Sequence, residues 1–320
     1  MATVMDALVD VTEYPTREAR ASNEKMRPLG MGVSGLWDTF ATLGLVWGED
    51  DAVAMDKAIF KTMYHAALTA SSELAAEFGA YEYHLNSPAD RDRLQPDLWG
   101  ETSARDTENI TLPKATPIEL DWSKLRCSIA TYGLRNSQSI AIMPTASTAQ
   151  IVGNSESIEA PSALICVRRT LSGDHVVFNK VFREMLIRKK MLTEETLQSI
   201  VAHKGSAQTL DGLTAREKLI FRNAWEIPQK VIVEHARARS PYICQSQSLN
   251  IHLPEVTEQK LTNLHFATWG SGMKISNYYI RTRDPAEPVN FSIAGKAAAD
   301  IEKICKIGGE DTGGCASCSA

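Results

Sequence analysis

Four stretches of strand character, 137–143, 163–169, 242–253 and 274–281, are separated by helical runs of ten or more residues, and this alternation constrains the fold most. Parallel strands cannot be joined by a tight turn and need a crossover of about a dozen residues, so the spacing implies an α/β chain built from parallel βαβ units. The longest helical run is Asp51–Phe78, where Met55, Ile59, Met63, Ala66, Ala70 and Leu74 recur on one stripe and Gly79 is placed to stop it. Ser34 is placed to cap a helix over 35–45, Asp121 starts one that stops at Gly133, Thr257 caps one reaching Trp269, and Pro228 divides a helical block over 179–239. Residues 1–24 read as a short apolar piece and a polar linker containing Pro15. Residues 87–120, rich in proline and charge, read as a long surface connection, 25–290 as the main folded domain, and 291–320 as a flexible tail.

With 320 residues and 43% hydrophobic content, the chain can bury a substantial core. Its net charge of −5 argues against general nucleic-acid or membrane-surface binding. No apolar run approaches the ~20 residues needed to span a bilayer, and the acidic, interrupted first twenty residues do not make a secretory signal, so the expected location is cytoplasmic. Six cysteines are too few for a disulfide scaffold. Cys127, Cys166 and Cys244 sit in apolar contexts and read as small buried hydrophobes. Cys315 and Cys318 differ, because they close a segment containing four glycines; a Cys-x-x-Cys on a mobile tether can exchange dithiol for disulfide. The rival reading, half of a zinc site, lacks a second ligand pair, and no metal site is expected.

Residues 30–35 satisfy G-x-G-x-x-G with acids at 49–51, but the preceding Ser22–Pro28 is no buried strand. Those glycines read instead as a tight turn with close helix packing. The octet Met143-Pro144-Thr145-Ala146-Ser147-Thr148-Ala149-Gln150 carries more chemistry. A strand ending near Met143, a turn at Pro144 and a helix from about Ala146 would aim unpaired N–H groups outward, a phosphate cradle of Pro144, Thr145, Ala146, Ser147 and Thr148. An ordinary Ser/Thr N-cap gives the same pattern. Tyr278 and Tyr279, adjacent in a strand, should point to opposite faces. The polar run Gln245–Ser248 with Asn250 and His252 reads either as core polars that fix register or as support for a ligand pocket.

Several of these segments together resemble the large (α) subunit of class I ribonucleotide reductase: Arg27–Val33, Leu134–Ser137 with 143–159, Arg168–Gly173, Gln245–His252, Tyr278–Arg283 and Cys315–Cys318, in the same order. The resemblance covers only the carboxyl-terminal part of that subunit, and implies the second half of a ten-stranded α/β barrel with helical insertions and a flexible redox tail. It implies reduction of ribonucleoside diphosphates at the ribose 2′ position, with 144–148 holding the diphosphate. Tyr278 and Tyr279 would pass a radical from the small (β) subunit, Tyr278 nearer the active site. Cys315 and Cys318 would re-reduce the active-site disulfide and be recharged by thioredoxin or glutaredoxin. The family's radical cysteine sits between an asparagine and a glutamate, and no Asn-x-Cys-x-Glu occurs here. That loop and the allosteric nucleotide site are therefore expected from an upstream large-subunit half, and the radical-generating metal centre from the small subunit; no cofactor is expected on this chain. By itself the chain would be inactive. The alternative is a non-catalytic nucleotide-binding or subunit-interaction fragment.

Overall fold

The computed structural model describes residues 1–112, 117–170 and 173–283. Two helices open the chain, α1 Ala2–Val11 and α2 Arg17–Met26, where the sequence reads as an apolar piece and a linker. Thr16 explains the second, accepting the Ala19 N–H as N-cap. An ionic tie then holds α1 to the body: the buried Arg27 donates to Asp6 and Asp10, and Asn136 donates to the same Asp6 carboxylate.

Helix α3 is Leu36–Leu43, capped not by Ser34 but by Gly35 at φ 82°. Helix α4, Asp50–Phe78, ends at Gly79 as expected. Its buried band is wider than a single stripe. Ala52, Met55, Asp56, Phe60, Lys61, Tyr64, Leu68, Ser71 and Leu74 are all buried, whereas Ala66 is exposed. Helices pack against it from more than one side, so it is the axis of the core rather than a surface helix.

The stretch read as a surface connection folds. It contains α5 Gln95–Leu98 and an antiparallel hairpin of β1 Thr107–Ile110 with β2 Ile118–Asp121. Buried Lys61 of α4 anchors the hairpin through Glu108 at 2.7 Å, a partner no local pattern reveals. Helix α6, Trp122–Tyr132, starts on the Asp121 cap and stops at Gly133.

After a short α7, Thr148–Val152, comes a second antiparallel hairpin, β3 Ile165–Thr170 with β4 Gly173–Phe178. The strand expected near 163–169 therefore belongs to a hairpin, not a βαβ unit. Helices α8 Lys180–Arg188, α9 Glu194–Ala202, α10 Ala215–Ile220 and α11 Gln229–Arg239 follow, with Pro228 as the N-cap of α11. A 3-10 turn at Ser240–Tyr242, β5 Asn250–His252, α12 Glu258–Gly270 on its Thr257 cap, and β6 Tyr279–Arg281 complete the described chain.

Parallel pairing joins four extended segments in chain order. Met31 bridges Ile140, Ile142 bridges Gln247, and β5 pairs β6 in parallel register. The segments at 140–142, 247–252 and 279–281 are strands the βαβ spacing foretold, whereas Met31, read from the sequence as part of a tight turn, adds a rung of its own; among the described residues the ladder does not close into a barrel. Glycine makes its first contact possible, because a Cβ on Gly32 would stand 2.5 Å from the Ala141 carbonyl oxygen. Trp37, Phe40, Phe60, Trp122, Leu164, Leu186 and Ile251, all essentially inaccessible, fill the space between the ladder and its helices. No described helix is long and apolar enough to cross a membrane.

Candidate active site

The 138–142 segment ends in the turn that the sequence singled out. Thr145 adopts φ 51°, and its carbonyl accepts the Ala149 N–H at 2.8 Å, closing the turn. Its hydroxyl accepts the Ser157 N–H at 2.7 Å. Ser157 in turn belongs to a loop stitched to α3: the Gly35 and Leu36 N–H groups donate to the carbonyls of Ser155 and Ser157, and Asp38 accepts from the Ser155 N–H and the Asn179 amide. The turn is thus held by the start of α3. Helix α7 begins at Thr148, two residues later than expected, because Ala146 and Ser147 are spent on the turn.

Ala146, Ser147 and Thr148 are exposed, and their N–H groups have no partner among the described residues. Three backbone donors at the carboxyl end of a parallel strand segment suit an anion. Of the predicted cradle, Pro144 shapes the turn and Thr145 ties it down, leaving 146–148 exposed. Two cavities lie elsewhere. One of about 130 Å³ is lined by Tyr64, Leu68, Leu134, Asn136 and Cys244, and a groove of about 800 Å³ by Lys57, Trp99, Arg237 and Lys274.

Tyr278 and Tyr279 do not point to opposite faces. Tyr278 sits in a bend just before β6, so strand alternation does not apply to it. Its N–H donates to the Leu249 carbonyl at 2.6 Å, and the two rings meet edge-on with centroids 4.4 Å apart. Both are about half exposed, at 46% and 54%. The neighbouring Tyr279 phenol raises the Tyr278 pKa above its ordinary value.

The polar run is neither all core nor all pocket. Gln247 is buried and accepts from Arg239 Nε at 2.7 Å, while its amide donates to the Ala236 carbonyl and to Ser240 Oγ. Arg239 also donates to Asp56 Oδ2 at 2.6 Å, and His235 Nδ1 lies 2.8 Å from the same oxygen, all three side chains inaccessible. This network, which sequence reasoning missed, bolts the 244–249 segment to α4 and α11. Its one legible trace is His235 and Arg239 at i and i+4 on the stripe of α11 that also buries Val233 and Ala236.

Asn250 donates to Glu159 Oε1 at 2.6 Å. Burial pushes the Glu159 carboxyl up to about 7 and the His252 imidazole down to about 4, so the ring is neutral. Cys127 is exposed rather than buried, and Cys244 Sγ accepts the Ser139 and Ile140 N–H groups, a polar role within the ladder. Cys315 and Cys318 lie outside the described residues. Among the described residues no cluster of three or more His, Cys, Asp or Glu side chains could hold a metal.

A family profile described as "Ribonucleotide reductase, barrel domain" matches residues 1–279. The chain is 39% identical over 318 residues to a ribonucleoside-diphosphate reductase large subunit of Caenorhabditis elegans, covering 98% of this chain and 39% of that one. It is also 39% identical over 316 residues to the large subunit of vaccinia virus (strain Copenhagen), covering 98% and 38%. A solved structure, the Actinobacillus ureae class Id ribonucleotide reductase alpha subunit, matches with a TM-score of 0.65 at 25% identity, covering 88% of this chain and 44% of that one. The chain thus spans about two fifths of the length of these curated relatives.

Proposed function

The chain belongs to the ribonucleotide reductase barrel-domain family, corresponds to the C-terminal part of the large subunit, and has an α/β barrel-type fold; from that premise we propose that it serves in the reduction of ribonucleoside diphosphates to deoxyribonucleoside diphosphates. The observation that carries this reading is the 144–148 turn, where three exposed backbone donors have no partner among the described residues at the end of a parallel strand segment. On this reading the ladder is the second half of a ten-stranded barrel. The diphosphate rests on the N–H groups of Ala146, Ser147 and Thr148, with the Ser147 and Thr148 hydroxyls as further donors. Pro144 and Thr145 fix the turn.

Tyr278 and Tyr279 then form the end of a radical relay, and their ring contact supports hopping between them. Helix α12, immediately upstream, exposes Phe266 at 69% and Trp269 at 79%, apolar area of the kind a partner subunit covers. The small subunit would supply the radical from its metal centre, and an upstream large-subunit piece the radical cysteine and the allosteric nucleotide site. Cys315 and Cys318 would return the active-site disulfide to dithiol and be recharged by thioredoxin or glutaredoxin.

Calorimetry with a ribonucleoside diphosphate tests the cradle. Ser147→Asp, which sets a carboxylate against the anion, should weaken binding at least ~100-fold, and the Ser147→Ala, Thr148→Ala pair about tenfold. Binding unchanged in both variants sinks the assignment. In a complex reconstituted with the upstream piece and the small subunit, Tyr279→Phe should abolish turnover and leave diphosphate binding intact. A second reading, a fragment that binds nucleotide or partner without catalysis, is favoured for the chain alone because it carries no Asn-x-Cys-x-Glu loop.

A further inference from the structure

Strands β5 and β6 are parallel, with Asn250 opposite Tyr279, Ile251 opposite Ile280 and His252 opposite Arg281. Paired residues of neighbouring strands project to the same side, so Asn250, His252, Tyr279 and Arg281 share one face and the two isoleucines the other. Glu159, from the loop after α7, closes the polar face by accepting from the Asn250 amide at 2.6 Å. Its partner is thus an amide rather than a cation, and Asn250 Oδ1 is buried with no hydrogen bond among the described residues. The Arg281 guanidinium lies 5.8 Å from the Tyr279 ring centroid and also acts electrostatically on both Glu159 and His252. One arginine therefore acts on both a carboxyl group and the Tyr279 ring.

Resting on the reading of Tyr278 and Tyr279 as a relay, we propose that Glu159 is a positioning residue of that pair: acting through Asn250 and Arg281, it sets by its charge the electrostatic field at the Tyr279 phenol. When Glu159 carries its proton, Arg281 has no buried anion to compete with the tyrosine ring. When the proton leaves, the carboxylate attracts the guanidinium, and its own charge opposes negative charge on the phenol. The groups facing this switch are Asn250 and His252 from β5, Tyr279 and Arg281 from β6, Tyr278 against the Tyr279 ring, and Glu156 from the same loop as Glu159. His252 is neutral and Glu156 only reinforces the upward shift, so Arg281 is the one cation in the set. Burial has already brought the Glu159 carboxyl to about 7, where a small change of surroundings alters its charge.

The test places 3-nitrotyrosine at position 279 of the full chain and reads the phenolate-to-phenol ratio by absorbance near pH 8. Glu159→Gln keeps the size of the side chain and still accepts the Asn250 amide, so a packing role leaves the ratio unmoved. The charge role raises it at least about threefold, the effect of one unit charge at roughly 10 Å across a partly wet site. Glu159→Asp should restore the ratio. An unchanged ratio in folded Glu159→Gln, checked by near-UV circular dichroism, overturns the proposal. If that variant does not fold, the carboxyl carbon signal of labelled Glu159 is titrated in Arg281→Gln. Its midpoint must rise, and a fixed midpoint overturns the proposal equally. Failure of the relay is a separate outcome: Tyr279→Phe that retains turnover removes the relay without touching the phenolate ratio.

Discussion

Asp56→Asn should destabilise the chain by about 3–5 kcal/mol, because it removes the anion from an inaccessible network while changing no volume. Both His235 Nδ1 and Arg239 Nη1 address the same oxygen, Asp56 Oδ2, and Asp56 Oδ1 is buried with no hydrogen-bond partner among the described residues. An asparagine oxygen at the Oδ2 position can still accept from both groups, but neither contact then has an anionic acceptor, and a hydrogen bond to a charged group contributes ~1.5–3 kcal/mol. The larger loss is the Arg239 guanidinium, left fully buried with no counter-charge; burial already holds its pKa below the usual arginine value. Against a total stability of ~5–15 kcal/mol this is about a fifth or more. At ~2 °C per kcal/mol for a chain of this size, the midpoint in a circular-dichroism melt should fall by about 6–10 °C. The double replacement Asp56→Leu, Arg239→Met should cost less than the single change, since it removes both desolvation penalties together. A single variant within ~1 kcal/mol of the parent, or a double variant less stable than the single one, refutes the reasoning.

Two titrations on the β5 and β6 face should oppose one another. Glu159 rises from 4.5 to about 7, so its contribution is complete below 4.5 and is lost as pH rises through 7. His252 falls from 6.5 to about 4, so its contribution is complete above 6.5 and is lost as pH falls through 4. Between 4.5 and 6.5 they offset, and urea midpoints against pH should show it: Glu159→Gln leaves stability rising with pH, His252→Asn leaves it falling, and like slopes in both refute the assignment. Gly32→Ala should cost about 1–3 kcal/mol, because its methyl group would meet the Ala141 carbonyl at 2.5 Å and push apart the first rung of the ladder. A melt unchanged from the parent counts against that close approach.

Caps and breakers made much of the fold legible. Asp121, Gly133, Thr257, Gly79 and Pro228 act locally, through a side-chain oxygen, a positive φ or a missing N–H, and each sits where the sequence placed it. What was illegible depends on partners distant in sequence. Helix α1 is held to the body because Arg27 meets Asp6 and Asp10, and the 107–121 hairpin is anchored by Lys61, 47 residues before Glu108. The site divides in the same way. The turn at 144–148 was readable from Pro144 and its hydroxyl residues, whereas Glu159 meets Asn250 across 91 residues with nothing in either neighbourhood to announce it. The facing of the tyrosines was misjudged because a period of two was applied to Tyr278, one residue outside the strand.

Tyr278 is pinned by its own N–H to Leu249, and Tyr279 pairs with Asn250 in the same neighbouring segment. Both aromatic rings therefore ride on adjacent rungs of one mount. A shift of the 249–250 segment carries both rings with it, so the spacing between them is set by one support rather than two.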